Sequence, residues 1–171
     1  MDRARRRAAT WLFTAAAVVY LVDRLSKGWA EATLPGHPID VIPGVVTFRF
    51  ATNPGGAFSL GQDLPWFFVF ATISVSVVIV ATAFRHTKPV TAVALGLVLG
   101  GALGNLTDRV VRGPGFSGRV VDFIDLQVWP VFNLADSAIV IGALVLAFGS
   151  LAADRSGRSA AAEGEPAADE R

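Results

Sequence analysis

The chain of 171 residues has no cysteine, two histidines, one methionine and one tyrosine. Without cysteine, disulfides, thiol nucleophiles and cysteine-ligated zinc are all excluded. The histidines, His37 and His86, fall in different loops, so no imidazole pair stands ready to hold a metal. Charge is scarce as well. Asp, Glu, Lys and Arg make up 17% of residues, against about 25% in ordinary globular chains. The net charge of +1 gives no clustered basic face of the kind nucleic acid requires, so no nucleic-acid partner is expected. What remains is apolar: 53% hydrophobic residues and a mean hydropathy of +0.52. A chain of this size cannot bury so much apolar surface in one core and still present a polar exterior. A water-soluble domain is therefore not the expected product.

Four apolar segments predict an all-α membrane protein with four transmembrane helices, over about 8–25, 65–84, 90–107 and 131–151. Gly96, Gly100, Gly101, Gly104 and Gly142 in the third and fourth suit close helix–helix approach in lipid. Arg3, Arg5, Arg6 and Arg7 precede the first segment, which is also how a cleavable signal peptide begins. Asp23, Arg24 and Lys27 follow the apolar run where small residues would mark a cleavage site. A retained helix is the expectation. Residues 1–154 then form a single domain, and 155–171, rich in Ala, Gly, Glu and Asp, a disordered cytoplasmic tail.

An even number of spans puts both termini on one side. That side collects nine Lys/Arg residues, including the four arginines before the first helix; the other collects six. Termini inside and the two long loops outside follow from the positive-inside rule. The first outer loop, about 40 residues, is too long for a simple connector. Trp29 to Leu34 is expected to form a short interfacial helix, with Trp29 at headgroup level. Val45 to Ala51 alternates like a strand after the Pro43-Gly44 turn, predicting a small β-sheet on the outer surface.

Ionisable groups at the membrane edge are costly and mark candidate sites. Here they gather on one face: Asp23 on the first helix; Asn105, Asp108 and Arg109 on the third; Asn133 and Asp136 on the fourth; and Asp122 in the second outer loop. Asp136 is expected about five residues inside its segment, on one helix face with Asn133. Each has a plainer reading. Asp136 alone could be a packing residue bonded to neighbouring backbone, Asp108 and Arg109 an interfacial ion pair, and Asp122 a solvated loop carboxylate like Asp125. Taken together, Asp122 and Asp136 offer more. Two carboxylates brought close share a proton, so one can act as base on water while the other donates to a carbonyl. That chemistry needs neither metal nor cofactor.

Competing nucleophiles fit less well. Gly115-Phe116-Ser117-Gly118 matches the G-x-S-G string of rhomboid proteases, but it lies in a Gly/Pro loop and no membrane segment supplies a histidine. Ser26 and Lys27 are adjacent, so on a helix they point about 100° apart. The G-x-G-D string of presenilin-like proteases is absent.

Five blocks carry a family resemblance: Asp23-Arg24-Leu25-Ser26-Lys27; Asn53-Pro54-Gly55-Gly56-Ala57-Phe58; Gly100 to Val110 (GGALGNLTDRV); Val120-Val121-Asp122-Phe123; and Val131 to Ala138 (VFNLADSA). In order and spacing, from about residue 8 to 151, the chain resembles bacterial lipoprotein signal peptidase, or signal peptidase II. The resemblance implies a four-helix aspartic endopeptidase of the bacterial cytoplasmic membrane, working at its outer face. Such an enzyme removes signal peptides from diacylglyceryl-modified prolipoproteins by cutting before the lipidated cysteine. It also implies Asp122 and Asp136 as the catalytic dyad. Asn53, Asn105, Arg109 and Asn133 would line the site, with Asp23 and Asp108 in support. Its partners would be lipidated prolipoproteins and membrane lipids, and a monomer without cofactors is expected. Two departures stand out: Gly56 where Ala is usual, and a long Gly-rich stretch, Gly113 to Arg119, that would alter loop mobility over the site. The alternative from another class is a small proton-coupled carrier relaying through Asp136. Carriers usually show repeats or midplane charges, neither of which is evident here.

Overall fold

The computed structural model describes residues 3–55, 65–85 and 88–163. Gly56 and the rest of its loop, His86, and 164–171 of the expected tail lie outside the described residues. Helix α1 (Arg3–Thr33) is followed by strands β1 (Ile39–Ile42) and β2 (Val46–Asn53). Helices α2 (Pro65–Thr82) and α3 (Pro89–Val111), strand β3 (Val120–Asp125) and helix α4 (Leu134–Glu163) complete the order. The strands form one antiparallel sheet, β1-β2-β3. An all-helical bundle carrying a small sheet is the architecture the apolar segments predict.

Helix α3 is the hub, packing on α1, α4 and α2. Its glycines make this possible. A Cβ on Gly100 would stand 2.5 Å from the Ala16 carbonyl oxygen of α1, and one on Gly101 2.5 Å from that of Ala135 in α4. Backbones this close leave no room for a side chain, and the stabilisation is dispersion between facing backbones. Away from these contacts the helices turn apolar residues outward, among them Leu21, Leu25, Phe70, Val77, Ile141 and Phe148. A patch of this extent would be unfavourable in water and is at home in hydrocarbon. Helix α1, 31 residues or about 46 Å at 1.5 Å per residue, exceeds the roughly 30 Å hydrocarbon core. Its last turns therefore reach the surface that the sheet occupies.

Several boundaries differ from the sequence expectation. Trp29 to Leu34 forms no separate interfacial helix: α1 runs unbroken through Thr33, since the stretch holds no Pro or Gly beyond Gly28 before Pro35. The Trp29 ring meets Phe48 and Phe123 edge-on, at 5.8 and 6.1 Å between centroids, which seats the sheet on the end of α1. The segment around Asp122 is a strand rather than a loop. β3 pairs with β2, Asp122 standing opposite Ala51. Helix α4 starts at Leu134, not Val131, because Phe132 bridges Ile124 instead. It continues through Glu163 into the stretch expected to be unstructured. Ala152, Ala153 and Ala160 to Ala162 supply the helix propensity that a reading based on low hydrophobicity undervalues.

Candidate active site

The N-terminus of α4 is built by reciprocal capping. Asn133, just before the helix, accepts from the Asp136 backbone N–H through Oδ1 at 2.9 Å, while Asp136 Oδ2 accepts from the Asn133 backbone N–H at 3.3 Å. This is the capping-box arrangement in Asn/Asp form. Asp136 thus lies in the first turn, shallower than its place in the apolar run implies, and Asn133 is the cap rather than a face neighbour.

Strand β3 brings the second carboxylate. Val121 and Phe123 point into a core with Ala30 and Leu34, so by alternation Asp122 faces the other way. There its Oδ1 accepts from Asn133 Nδ2 at 2.7 Å. Asp122 is 3% exposed, and its pKa is pushed up from 3.8 to about 7. Burial is the chief cause and the nearby Asp136 carboxylate the next, partly opposed by hydrogen bonds from Asn133 and Asn53 and by the charge of Lys27. A carboxyl group poised near neutrality can give or take a proton under ordinary conditions.

Both aspartates line a cavity of about 720 Å³ that extends between α2, α3 and α4. Asn53, Asn105 and Arg109 line it too. Asn53 ends β2 and turns its Oδ1 to the Gly55 N–H at 2.9 Å, leaving its amide nitrogen for Asp122. Asn105 Nδ2 donates to Asp136 Oδ1 at 2.8 Å. The buried Arg109 holds the turn after β2, donating to Gly55 O at 2.5 Å and Pro54 O at 3.4 Å, and its charge faces both aspartates. Asn133 does not line the cavity as expected. It is fully buried behind the aspartates, because its amide is committed to Asp122, Asn105 and the Val121 carbonyl.

The supporting acids also have definite partners. Asp23 Oδ1 accepts from the Ala135 N–H at 3.0 Å, satisfying an orphan donor of α4 beside Asp136. Asp108 does not pair with Arg109; adjacent on a helix, they diverge. Asp108 instead binds Arg24, Arg112 Nε at 2.8 Å, Lys27 Nζ at 3.1 Å and the Val121 N–H at 3.3 Å. In sequence Lys27 reads as a flanking charge and a neighbour of Ser26, not as a site residue. The available signal was its i,i+4 spacing from Asp23 at the end of an apolar helix. Asp125 sits outside the cavity, held by Arg49 Nε at 2.5 Å and the Gln127 N–H. Those bonds keep its pKa below the usual carboxylate value.

Ser117 is spent on its own loop, donating to Pro114 O at 2.7 Å. The Gly118 N–H donates to Arg109 O at 3.0 Å, tying the loop to the end of α3, and none of Gly113 to Arg119 lines the cavity.

This arrangement has known counterparts. Residues 15–152 match the family model described as signal peptidase (SPase) II. The lipoprotein signal peptidase of Rhodococcus jostii is 45% identical over 137 residues, 79% of this chain and 69% of that one. That of Streptomyces coelicolor is 47% identical over 147 residues, 84% and 71% of the two chains. A solved structure described as a bacterial membrane enzyme superposes with a TM-score of 0.73 at 26% identity, covering 93% of this chain and 94% of the other. A second superposes at 0.71 with 30% identity, covering 82% and 92%. With a membrane-type exterior, the same fold and a match over most of its length, the chain belongs to the signal peptidase II family.

Proposed function

We propose that Asp122 and Asp136 are the catalytic dyad with which this membrane aspartic endopeptidase removes signal peptides from diacylglyceryl-modified prolipoproteins, cutting before the lipidated cysteine. The observation that carries the assignment is Asn133, which bonds Asp122 through its side chain and Asp136 through its backbone. The pair shares one proton. The ionised carboxylate takes a proton from water as the water oxygen attacks the scissile carbonyl, and the protonated one donates to the developing oxyanion. As the intermediate collapses the C–N bond breaks, and the leaving cysteine amine takes up a proton from the dyad. Asn53, Asn105 and Arg109 orient the carboxylates and the peptide at the cavity wall.

The cavity's apolar arm, lined by Ala71, Val75, Val98 and Ile139, suits a substrate held in the bilayer with its scissile bond at the outer surface. In this reading residues 1–154 are one monomeric peptidase domain in the cytoplasmic membrane, with both termini cytoplasmic, in contact with membrane lipids and without nucleic-acid partners. The decisive experiment mixes the purified protein with a lipidated prolipoprotein and its unlipidated form. A shortened product from the lipidated form alone is expected. Equal cleavage of both would remove lipid recognition, and no product from either would remove the substrate assignment.

A further inference from the structure

Lys27 is completely buried, and its ammonium meets three acceptors: Asp23 Oδ2 at 2.8 Å, Asn105 Oδ1 at 2.8 Å and Asp108 Oδ2 at 3.1 Å. The contact to Asn105 is a hydrogen bond and those to the two carboxylates are ion pairs, so the buried ammonium is surrounded by acceptors of α1 and α3 and offers nothing to substrate. Each acceptor leads on to the proposed dyad. Asn105, its oxygen held by Lys27 and, at 3.2 Å, by Asn133 Nδ2, turns its amide nitrogen to Asp136. Asp23 uses its other oxygen on the Ala135 N–H, one residue before Asp136. Asp108 accepts from the Val121 N–H, one residue before Asp122. The buried charge stands at a point from which one path reaches the Asp136 carboxylate and two reach the backbone next to Asp136 and next to Asp122.

We propose that Lys27 is a positioning residue of the dyad: one ammonium, together with Asn133, sets the amide orientation of Asn105, and through Asp23 and Asp108 it anchors the backbone beside Asp136 and beside Asp122. The proposal rests on the dyad assignment. Lys27 touches neither carboxylate, so it moves no proton in the reaction. It also contributes charge. The groups acting on Asp122 are Asp136 of α4, Arg109 of α3 and Lys27 of α1, with Asn133 and Asn53 as hydrogen-bond partners. Removing the ammonium takes away a cation that favours the ionised form of Asp122.

The test is Lys27→Met beside the charge-balanced double variant Lys27→Met/Asp23→Asn. In the double variant the Asn oxygen can still accept from Ala135, and no carboxylate is left without a cation. Both are purified in detergent, checked for a cooperative thermal transition, and assayed on a lipidated prolipoprotein across pH. The expected result is a fall in kcat of about 100-fold, the scale of misplaced catalytic groups. KM should stay within about threefold, because no substrate contact is removed, and the alkaline limb of activity should move to higher pH. Unchanged kcat, a loss confined to KM, an unmoved alkaline limb, or failure of the charge-balanced variant to fold would each overturn the proposal. Asp122→Asn in the same assay keeps the two readings apart: activity there would dismiss the dyad, whatever Lys27 does.

Discussion

Asn133 donates its side-chain amide to Asp122 at 2.7 Å while its backbone N–H meets Asp136 at 3.3 Å. One buried residue therefore registers a strand carboxylate against a helix carboxylate. Asn133→Ala should remove the bonds to Asp122 and the Val121 carbonyl, while Asn105 Oδ1 keeps only its bond from Lys27. A cost of about 1–3 kcal/mol in stability is expected, with loss of most cleavage. Thermal unfolding and product formation measure the two effects.

Asp122→Asn and Asp136→Asn should each abolish cleavage while expression and membrane insertion persist, since Asn keeps the shape but cannot act as base. The double variant should be little worse than either single one, because the carboxylates perform one coupled task. Asp125→Asn should stay active. Its Arg49 partner is about half exposed, so losing that pair should cost less than about 1 kcal/mol. Chelators should leave the rate unchanged, as the proposed chemistry runs on carboxylates alone. Gel-shift cleavage assays on each variant decide these points.

The pH dependence follows from Asp122, whose pKa is raised from 3.8 to about 7. A raised carboxyl pKa favours the folded state fully below 3.8, and that contribution is lost as pH rises through about 7. Activity should share the upper limit, because above it both carboxylates are ionised and no proton remains for the carbonyl. In Asp136→Asn the neighbouring charge is gone, so Asp122 should titrate lower. Its protonated C=O stretch, followed by infrared spectroscopy against pH, reads this directly; an unmoved or raised titration would contradict the coupling.

Gly101→Ala would drive a Cβ into the Ala135 carbonyl 2.5 Å away, displacing the first turn of α4 that carries Asp136. Destabilisation of about 1–3 kcal/mol is expected, together with reduced cleavage. Gly149→Ala, with nothing within 4 Å of its Cβ position, should be neutral or slightly stabilising. Equal melting temperatures for the two variants would refute the packing argument.

Topology reporters provide a separate check. Fusions after Arg7, at His86 and after Arg155 should report cytoplasm, and fusions near His37 and Gly115 the outer side. A cytoplasmic signal at Gly115 would separate Asp122 from the membrane face assigned to Asp136.

The helices were legible because a span of lipid demands apolar length, and the glycines because close backbones exclude a Cβ. The membrane-face cluster was legible because charges are scarce enough for each to stand out. Strand β3 was not. VVDFID is short, and its pairing depends on β2, about 70 residues earlier. The placing of Asn133 was hidden for a related reason: Phe132 leaves the apolar run to bridge Ile124, which moves the helix start to Leu134. Asp108 and Arg109 look like an ion pair in sequence, but adjacent helix residues diverge by about 100°, and each has other partners here. Lys27 escaped notice because its acceptors come from two helices, and two of the three lie on α3.

Trp29, Phe48 and Phe123 meet edge-on where the sheet rests on α1. Asp122 rides on the sheet and Asp136 on the bundle, so this aromatic joint is part of what holds the two carboxylates in one place. A chain with only α1 to α3 in the membrane lacks the helix that carries Asp136, and one with α4 inserted but the sheet undocked has both aspartates without bringing them together. If the proposed dyad carries the reaction, cleavage requires the sheet to dock on α1 as well as the membrane helices to pack.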